Sequence, residues 1–159
     1  MNNPNKLIQS YQTTTWLINK QADGLTHEES VVQLPFRSNC FNWVVGHILV
    51  SRDRALRLLE AEPVLTDAET AVYETGSEPV TYTAQAIPLE RLLNAVTESH
   101  SRIEAALQAA TKEQLSAIYN EEHQQSVGDR IRGLHWHESY HLGQLEILRQ
   151  AAGKDDKVV

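Results

Sequence analysis

Apolar side chains recur along this chain at intervals of three and four residues, the spacing that places them on one face of a helix. This periodicity runs through four long stretches, which cover residues 6–22, 38–61, 88–110 and 126–153. No stretch alternates steadily between apolar and polar residues, so we predict no sheet. The pattern therefore predicts an all-α fold, in which four amphipathic helices form a bundle.

The longest connection between these helices covers residues 62–85 and is interrupted by proline and glycine. Residues 66–73 within it are suited to a short helix, and a second short helix is predicted over residues 111–119. A connection of this length can cross a bundle, so the helices need not alternate simply up and down. Its tyrosines, Tyr73 and Tyr82, are candidates for the wall of a pocket.

Length and charge narrow the class of protein. A chain of 159 residues predicts one domain spanning residues 1–159. The formal charge of −7 repels phosphates and anionic headgroups, so neither nucleic acid nor a membrane surface is an expected partner. The chain has no apolar run of membrane-spanning length and no leader-like start, and its single cysteine, Cys40, cannot form an internal disulfide. We therefore expect a cytoplasmic protein. Cys40 is expected to be a small buried residue.

Histidines interrupt the apolar stripes of two predicted helices. His137 and His141 are four residues apart, about 40° past one full turn, so both imidazoles leave the same inward face of the last helix. His47 occupies an inward position on the second helix. Three unpartnered buried imidazoles would cost several kcal/mol together, and one shared metal ion would satisfy them. The alternative is three core histidines, each hydrogen-bonded to a neighbouring carbonyl or carboxylate.

The other four histidines have simpler interpretations. His27 and His123 lie in polar turns, where a solvated ring is expected, and His135 points away from His137 toward the surface or an interface. His100 lies on the apolar stripe of the third helix and is a candidate for proton transfer, for ligation or for a core role.

Four residues close to the three histidines in sequence have simple interpretations or candidate roles. Gln144 is a candidate for binding substrate or for orienting a metal ligand. Tyr140 and Glu138 are expected to project to the sides of the last helix, where packing explains them. Trp43, one turn before His47, is interpreted as a core residue.

Two segments resemble a known family. Asn39, Trp43 and His47 follow an Asn-x-x-x-Trp-x-x-x-His pattern, and residues 137–144 follow His-x-x-x-His-x-x-Gln. Both resemble the DinB/YfiT-like superfamily of metal-dependent helical-bundle proteins. The resemblance implies an up-down-down-up bundle, frequent homodimers, and one divalent metal ion on His47, His137 and His141.

The resemblance leaves the reaction open. Three neutral imidazoles leave a divalent ion with an open position, and such a ligand set suits zinc, nickel or iron. The family includes transferases that use a low-molecular-weight thiol, so a thiol-dependent S-transferase acting on a small molecule is the first hypothesis. A metal-dependent hydrolase and a non-catalytic metal- or ligand-binding protein are the alternatives, with catalytic roles for His100 and Gln144 left open.

Overall fold

Helices make up most of the structure, a computed structural model that describes residues 4–156 and 158. Its helices are α1 (Pro4–Ala22), α2 (His27–Ser30), α3 (Phe41–Leu58), α4 (Asp67–Tyr73), α5 (Leu89–Ala109), α6 (Lys112–Ser116) and α7 (Val127–Ala151). A single 3₁₀ turn lies at Thr83–Gln85 in the described chain. The all-α prediction is confirmed, because the four long predicted helices correspond to α1, α3, α5 and α7 with ends displaced by at most three residues.

A small β-hairpin departs from the prediction of no sheet. Strands β1 (Ile118–Asn120) and β2 (Gln125–Ser126) pair antiparallel between α6 and α7. The predicted helix over 111–119 therefore ends early, at Ser116. Strands of three and two residues are too short to show alternation in the sequence, and the turn between them depends on a left-handed backbone at Gln124, where φ is 50°.

Side-chain caps fix where several helices begin. Ser126 accepts a hydrogen bond from the amide of Asp129, whose side chain in turn accepts one from the amide of Ser126. The same reciprocal capping box opens α4 at Thr66 and Glu69, which places a helix where the sequence predicted one inside the long connection. These boxes satisfy amides that would otherwise lack partners at the start of each helix.

The four long helices surround a common core. Helix α3 packs against α5 and α7, and α1 packs against the same two helices. Helix α4 lies on α3. Helix α3 is buried on nearly every side, including at its polar residues Asn42, Ser51, Arg52 and Asp53. None of the helices in the described part of the chain has an apolar stretch long enough to cross a bilayer.

A buried ion pair ties the four long helices together. The guanidinium of Arg52 donates to both carboxylate oxygens of Glu138, at 3.0 and 2.5 Å, and the two side chains are 0% and 1% exposed. The same guanidinium donates to Ser99 and the carbonyl of Val96 on α5, and to Thr14 on α1. The expectation that Glu138 projects to the side of the bundle was therefore wrong, because a buried cation on α3 draws it inward.

Candidate metal centre

Helices α3 and α7 bring three imidazoles to one point. His137 and His141 lie one turn apart on α7, and their Nε2 atoms are 3.1 Å apart. His47 approaches from α3 and places its Nε2 atom 3.3 Å from that of His137. One ring nitrogen from each of the three residues lies within 4.8 Å of the other two. The predicted association of these three histidines is therefore present in the structure.

The Nδ1 atoms of the three rings have hydrogen-bond partners away from the centre. His47 Nδ1 donates to the backbone carbonyl of Tyr73 at 2.8 Å, and His141 Nδ1 donates to Gln144 Oε1 at 2.6 Å. A carbonyl oxygen only accepts, so both Nδ1 atoms carry the proton and both Nε2 atoms present a lone pair to the centre. His137 Nδ1 shares a hydrogen bond of 3.2 Å with the hydroxyl of Ser51.

This donor set fits a metal ion. The lone pairs of His47 and His141 both face His137 Nε2, which has at most one proton to offer, so the histidines alone cannot satisfy one another. A cation bound to all three would satisfy every Nε2. The Nε2 separations of 3.1 and 3.3 Å are close to the ~3.4 Å expected between ligands about 2.05 Å from a tetrahedral ion. The cluster could therefore hold a metal ion, with a fourth position left open.

Burial keeps the three imidazoles in the neutral form that binds metals. Desolvation lowers the pKa of His47 and His141, and it lowers the pKa of His137 to about 4, with His141, His47, Arg54 and Arg130 adding to the shift at His137. At neutral pH none of the three rings needs to lose a proton before it can bind a cation.

The position of His47 depends on how α4 packs against α3. A Cβ atom at Gly46 would lie 2.3 Å from the ring of Tyr73, so only glycine allows this contact. The Tyr73 hydroxyl donates to Asn42 Oδ1 at 2.7 Å and accepts from the amide of Ile87 at 2.9 Å. These hydrogen bonds fix the hydroxyl end of the Tyr73 side chain, and the backbone carbonyl of Tyr73 accepts the hydrogen bond from His47 Nδ1. Tyr73 thus lies against the site, as the sequence suggested, whereas Tyr82 is 55% exposed.

Two grooves reach the histidines. One has a volume of about 430 Å³ and includes His141 and Gln144 in its lining, and the other has a volume of about 540 Å³ and includes His47. Residues 37–39 and Trp43 line both grooves. A wider groove of about 1030 Å³ lies between the starts of α1 and α7 and includes none of the three histidines, so volume alone does not mark the candidate site.

Trp43 lines both grooves and packs against His47. Its ring stacks on the imidazole of His47 with centroids 4.7 Å apart, and its Nε1 donates to the hydroxyl of Ser77 at 3.0 Å. The side chain is 7% exposed, as expected for a core residue, but its edge also lines both grooves.

Comparison with known proteins agrees with this picture. The family model of the DinB superfamily matches residues 9–145, which include His47, His137 and His141. The chain belongs to the DinB superfamily. The crystal structure of a conserved protein from Enterococcus faecalis has the same fold, with a TM-score of 0.73 over 96% of this chain and 98% of that one, at 14% identity. No curated protein sequence matches this DinB superfamily chain significantly.

His100 lies apart from the three-histidine cluster in this DinB superfamily protein. Its Nε2 is 3.8 Å from a carboxylate oxygen of Glu104 on the same helix, and its Nδ1 is buried without a hydrogen-bond partner in the described chain. The buried positions of α5 are Leu89, Leu92, Ala95, Val96, Ser99, Ile103 and Leu107. His100 is therefore beside the inward stripe instead of at its centre, with its side chain 16% exposed.

The remaining residues of interest lie elsewhere in the DinB superfamily fold. Cys40 is a buried free thiol at the start of α3, as predicted. His123 is exposed, but His27 is half-buried at the first turn of α2, so its predicted solvated position was only partly right. His135, expected at the surface or an interface, is half-buried where α1 packs on α7, against the ring of Tyr11 with centroids 4.8 Å apart.

Two features of the site were missed in the sequence. The carbonyl of Tyr73 comes from a residue 26 positions after His47, and a backbone atom carries no signature in the sequence. Ser51, one turn after His47 on α3, shares a hydrogen bond with His137 that was not predicted.

Proposed function

We propose that this protein is a metal-dependent S-transferase, which joins a low-molecular-weight thiol to a small electrophilic molecule. The observation that carries the proposal is that two neighbouring grooves reach the three-histidine cluster. His47 lines one groove and His141 lines the other, so two different small molecules can approach the same point from either side of Trp43. Two neighbouring grooves suit the joining of two substrates, whereas hydrolysis of one substrate needs only one groove and water.

A metal ion held by His47, His137 and His141 would activate the thiol. A divalent ion bound by three neutral imidazoles favours the thiolate form of a thiol, which is the better nucleophile. In the proposed reaction the thiol releases its proton to solvent, and its sulfur forms a bond to an electrophilic carbon. With an alkyl halide, the bond from that carbon to the halide breaks and the halide departs with the electron pair. With an epoxide or an activated alkene, the electron pair passes to the ring oxygen or to the neighbouring carbon, which takes up a proton from solvent. We infer zinc, nickel or iron as the metal, since imidazole suits all three.

The protein's own residues hold the geometry for this step. Tyr73 and Gln144 fix the orientation of His47 and His141 through their Nδ1 atoms, which keeps each Nε2 lone pair directed at the centre. Gln144 also lines the smaller groove. We assign His100 no role in the transfer, because its ring contacts Glu104 outside the cluster.

The test is thiol consumption by untagged protein. Metal-loaded protein is incubated with a thiol such as glutathione or cysteine and a panel of electrophiles that includes an alkyl halide, an epoxide and an activated alkene, and free thiol is followed with time. We expect consumption that stops after chelation and returns when metal is restored. Metal-loaded protein that consumes no thiol, but cleaves esters or amides, would support the hydrolase. Metal binding without turnover of any kind would support a non-catalytic binding protein.

We also propose that the four long helices are arranged up-down-down-up. The connection between α3 and α5 spans residues 59–88, which can cover the roughly 27 Å length of an 18-residue helix and so return the chain to the same end. An experimentally determined structure tests the helix directions.

We further propose that the protein forms a homodimer through the outer face of α7. Trp136 and Tyr140 are 70% and 61% exposed on this helix, and apolar groups this exposed favour association. Sedimentation of the protein and of a Trp136→Ser variant tests this proposal. A monomeric wild-type protein would contradict it.

A further inference from the structure

The smaller groove has a lining that selects for one kind of molecule. Its walls are mostly apolar, and they are formed by Leu34, Phe36, Trp43, Val44, Ile147 and Leu148. Its volume of about 430 Å³ falls in the usual range for small-molecule sites. His141 and Gln144 give this groove direct access to the three-histidine cluster. A molecule with an apolar body therefore fits the groove while its reactive atom lies next to the metal position.

Arg37 is the charged side chain of this groove. Among the described residues that line it, none is aspartate, glutamate or lysine, and Arg37 is the one arginine. Arg37 is exposed and has no ion pair or hydrogen bond within the part of the chain that the structure describes. Its guanidinium is thus free to bind an anion with paired N–H donors, for which a carboxylate is the matching shape.

The surroundings of the cluster favour an anion more than the total charge suggests. The protein carries a formal charge of −7. The described lining of the smaller groove nevertheless includes no carboxylate, and a divalent ion on the histidines would add positive charge beside it. The second groove differs in this respect, because Glu78 lines it together with Arg37. Of the two grooves, the apolar one is therefore the better match for an acid.

From these observations we infer that Arg37 binds the carboxylate of the electrophilic substrate, a small organic acid whose apolar body lies against Trp43 and Ile147. The inference rests on the proposed function only in treating this acid as a substrate. The contact itself is a binding property of the groove and can be measured without turnover.

The experiment compares two probes of the same shape and different charge. Binding of 4-phenylbutyrate and of its neutral amide, 4-phenylbutanamide, is measured by calorimetry on metal-loaded protein. An exposed but unpaired arginine should favour the acid by about fivefold in affinity. Arg37→Gln should abolish this preference while metal content stays unchanged, and Arg37→Lys should retain part of it. Arg57→Gln is the matched control, since Arg57 is an exposed arginine ten residues beyond His47 on the same helix.

Each other result overturns the inference. A preference for the acid that persists in Arg37→Gln places the carboxylate on the metal or on another cation. Equal binding of acid and amide to the wild type, or no binding of either probe, removes the acid subsite. If Arg37→Gln weakens binding of glutathione and leaves 4-phenylbutyrate unaffected, Arg37 serves the thiol groove instead. Failure of the proposed S-transfer is seen separately, as metal-loaded protein that binds the acid but consumes no thiol.

Discussion

His47 Nδ1 donates a hydrogen bond of 2.8 Å to the backbone carbonyl of Tyr73, so the orientation of one candidate metal ligand depends on a residue in a different helix. The contact exists because α4 lies against α3 at Gly46, where the ring of Tyr73 occupies the space of a missing side chain. The α3–α4 packing and the geometry of the three-histidine cluster are therefore coupled.

Gly46→Ala should disturb the metal centre without changing any candidate ligand. The new methyl group would lie 2.3 Å from the ring of Tyr73, so the ring and the carbonyl that follows it must move. We expect a loss of about 1 to 3 kcal/mol in the free energy of unfolding and a 10- to 100-fold weaker affinity for zinc. Urea unfolding and competition with a zinc chelator measure the two effects.

Gly143→Ala is the matched control for this substitution. Gly143 lies on α7 two residues after His141, and a Cβ atom there has no neighbour within 4 Å. Zinc affinity should be unchanged and stability unchanged or slightly higher, because alanine favours helix more than glycine does. An equal loss of affinity in both variants would contradict the proposed role of Tyr73.

Gln144 should tune the affinity for metal through His141. Gln144→Ala removes the acceptor of the 2.6 Å hydrogen bond from His141 Nδ1, and we expect about tenfold weaker zinc binding. Gln144→Glu keeps an acceptor at the same position and should restore the affinity. Gln150→Ala, at an exposed position of the same helix, is the control. Unchanged zinc affinity in Gln144→Ala would show that the contact does not orient the ligand.

The buried pair of Arg52 and Glu138 should dominate the stability of the interior. Arg52→Met leaves the carboxylate of Glu138 buried without its partner, which should cost about 3 to 5 kcal/mol of unfolding free energy. The double variant Arg52→Met/Glu138→Leu should recover most of that loss. Arg132→Met, which removes an exposed arginine paired with Asp129, should cost no more than about 1 kcal/mol. Similar losses for both arginines in urea unfolding would disprove this account.

The sequence was informative where helical periodicity determines position. The four-residue spacing of His137 and His141 is enough to place both rings on one side of α7, and the stripe of α3 directs His47 toward them. Contacts between segments that are distant in the sequence could not be predicted in this way. No periodicity indicates that the carbonyl of Tyr73 accepts from His47, because that contact depends on the packing of α4.

The predictions of side-chain position were least accurate for charged residues. Glu138 was expected at the side of α7 because it directly follows His137, and the burial of Arg52 on α3 was not predicted. Either residue alone is unfavourable in the interior, and only their pairing across α3 and α7 makes the burial of both acceptable.

The metal-free protein should lose stability as the pH falls from about 7 to about 5. Burial lowers the pKa of His137 from its ordinary value of 6.5 to about 4, so over this range the unfolded chain gains a proton that the folded protein does not. Stability is fully present above the unfolded pKa and declines below it. His137→Asn should reduce the loss by about 1 kcal/mol, less than the full shift implies because the ring is partly exposed.

Urea unfolding of chelator-treated wild type and His137→Asn at both pH values checks this prediction. The two proteins also lose stability through other groups, so the difference between their pH dependences is the relevant quantity. Parallel pH dependences would indicate that His137 has the same pKa in the folded and unfolded chains.

Metal stoichiometry tests most directly whether His47, His137 and His141 together hold one divalent metal ion. Protein expressed without a histidine tag is dialysed, and its zinc, nickel and iron are measured by elemental analysis against protein concentration. We predict about one ion per chain in the wild type and in His100→Ala, and a nearly complete loss in His47→Ala, His137→Ala and His141→Ala. Wild-type protein that contains no metal and binds none when zinc, nickel or iron is added would contradict the account.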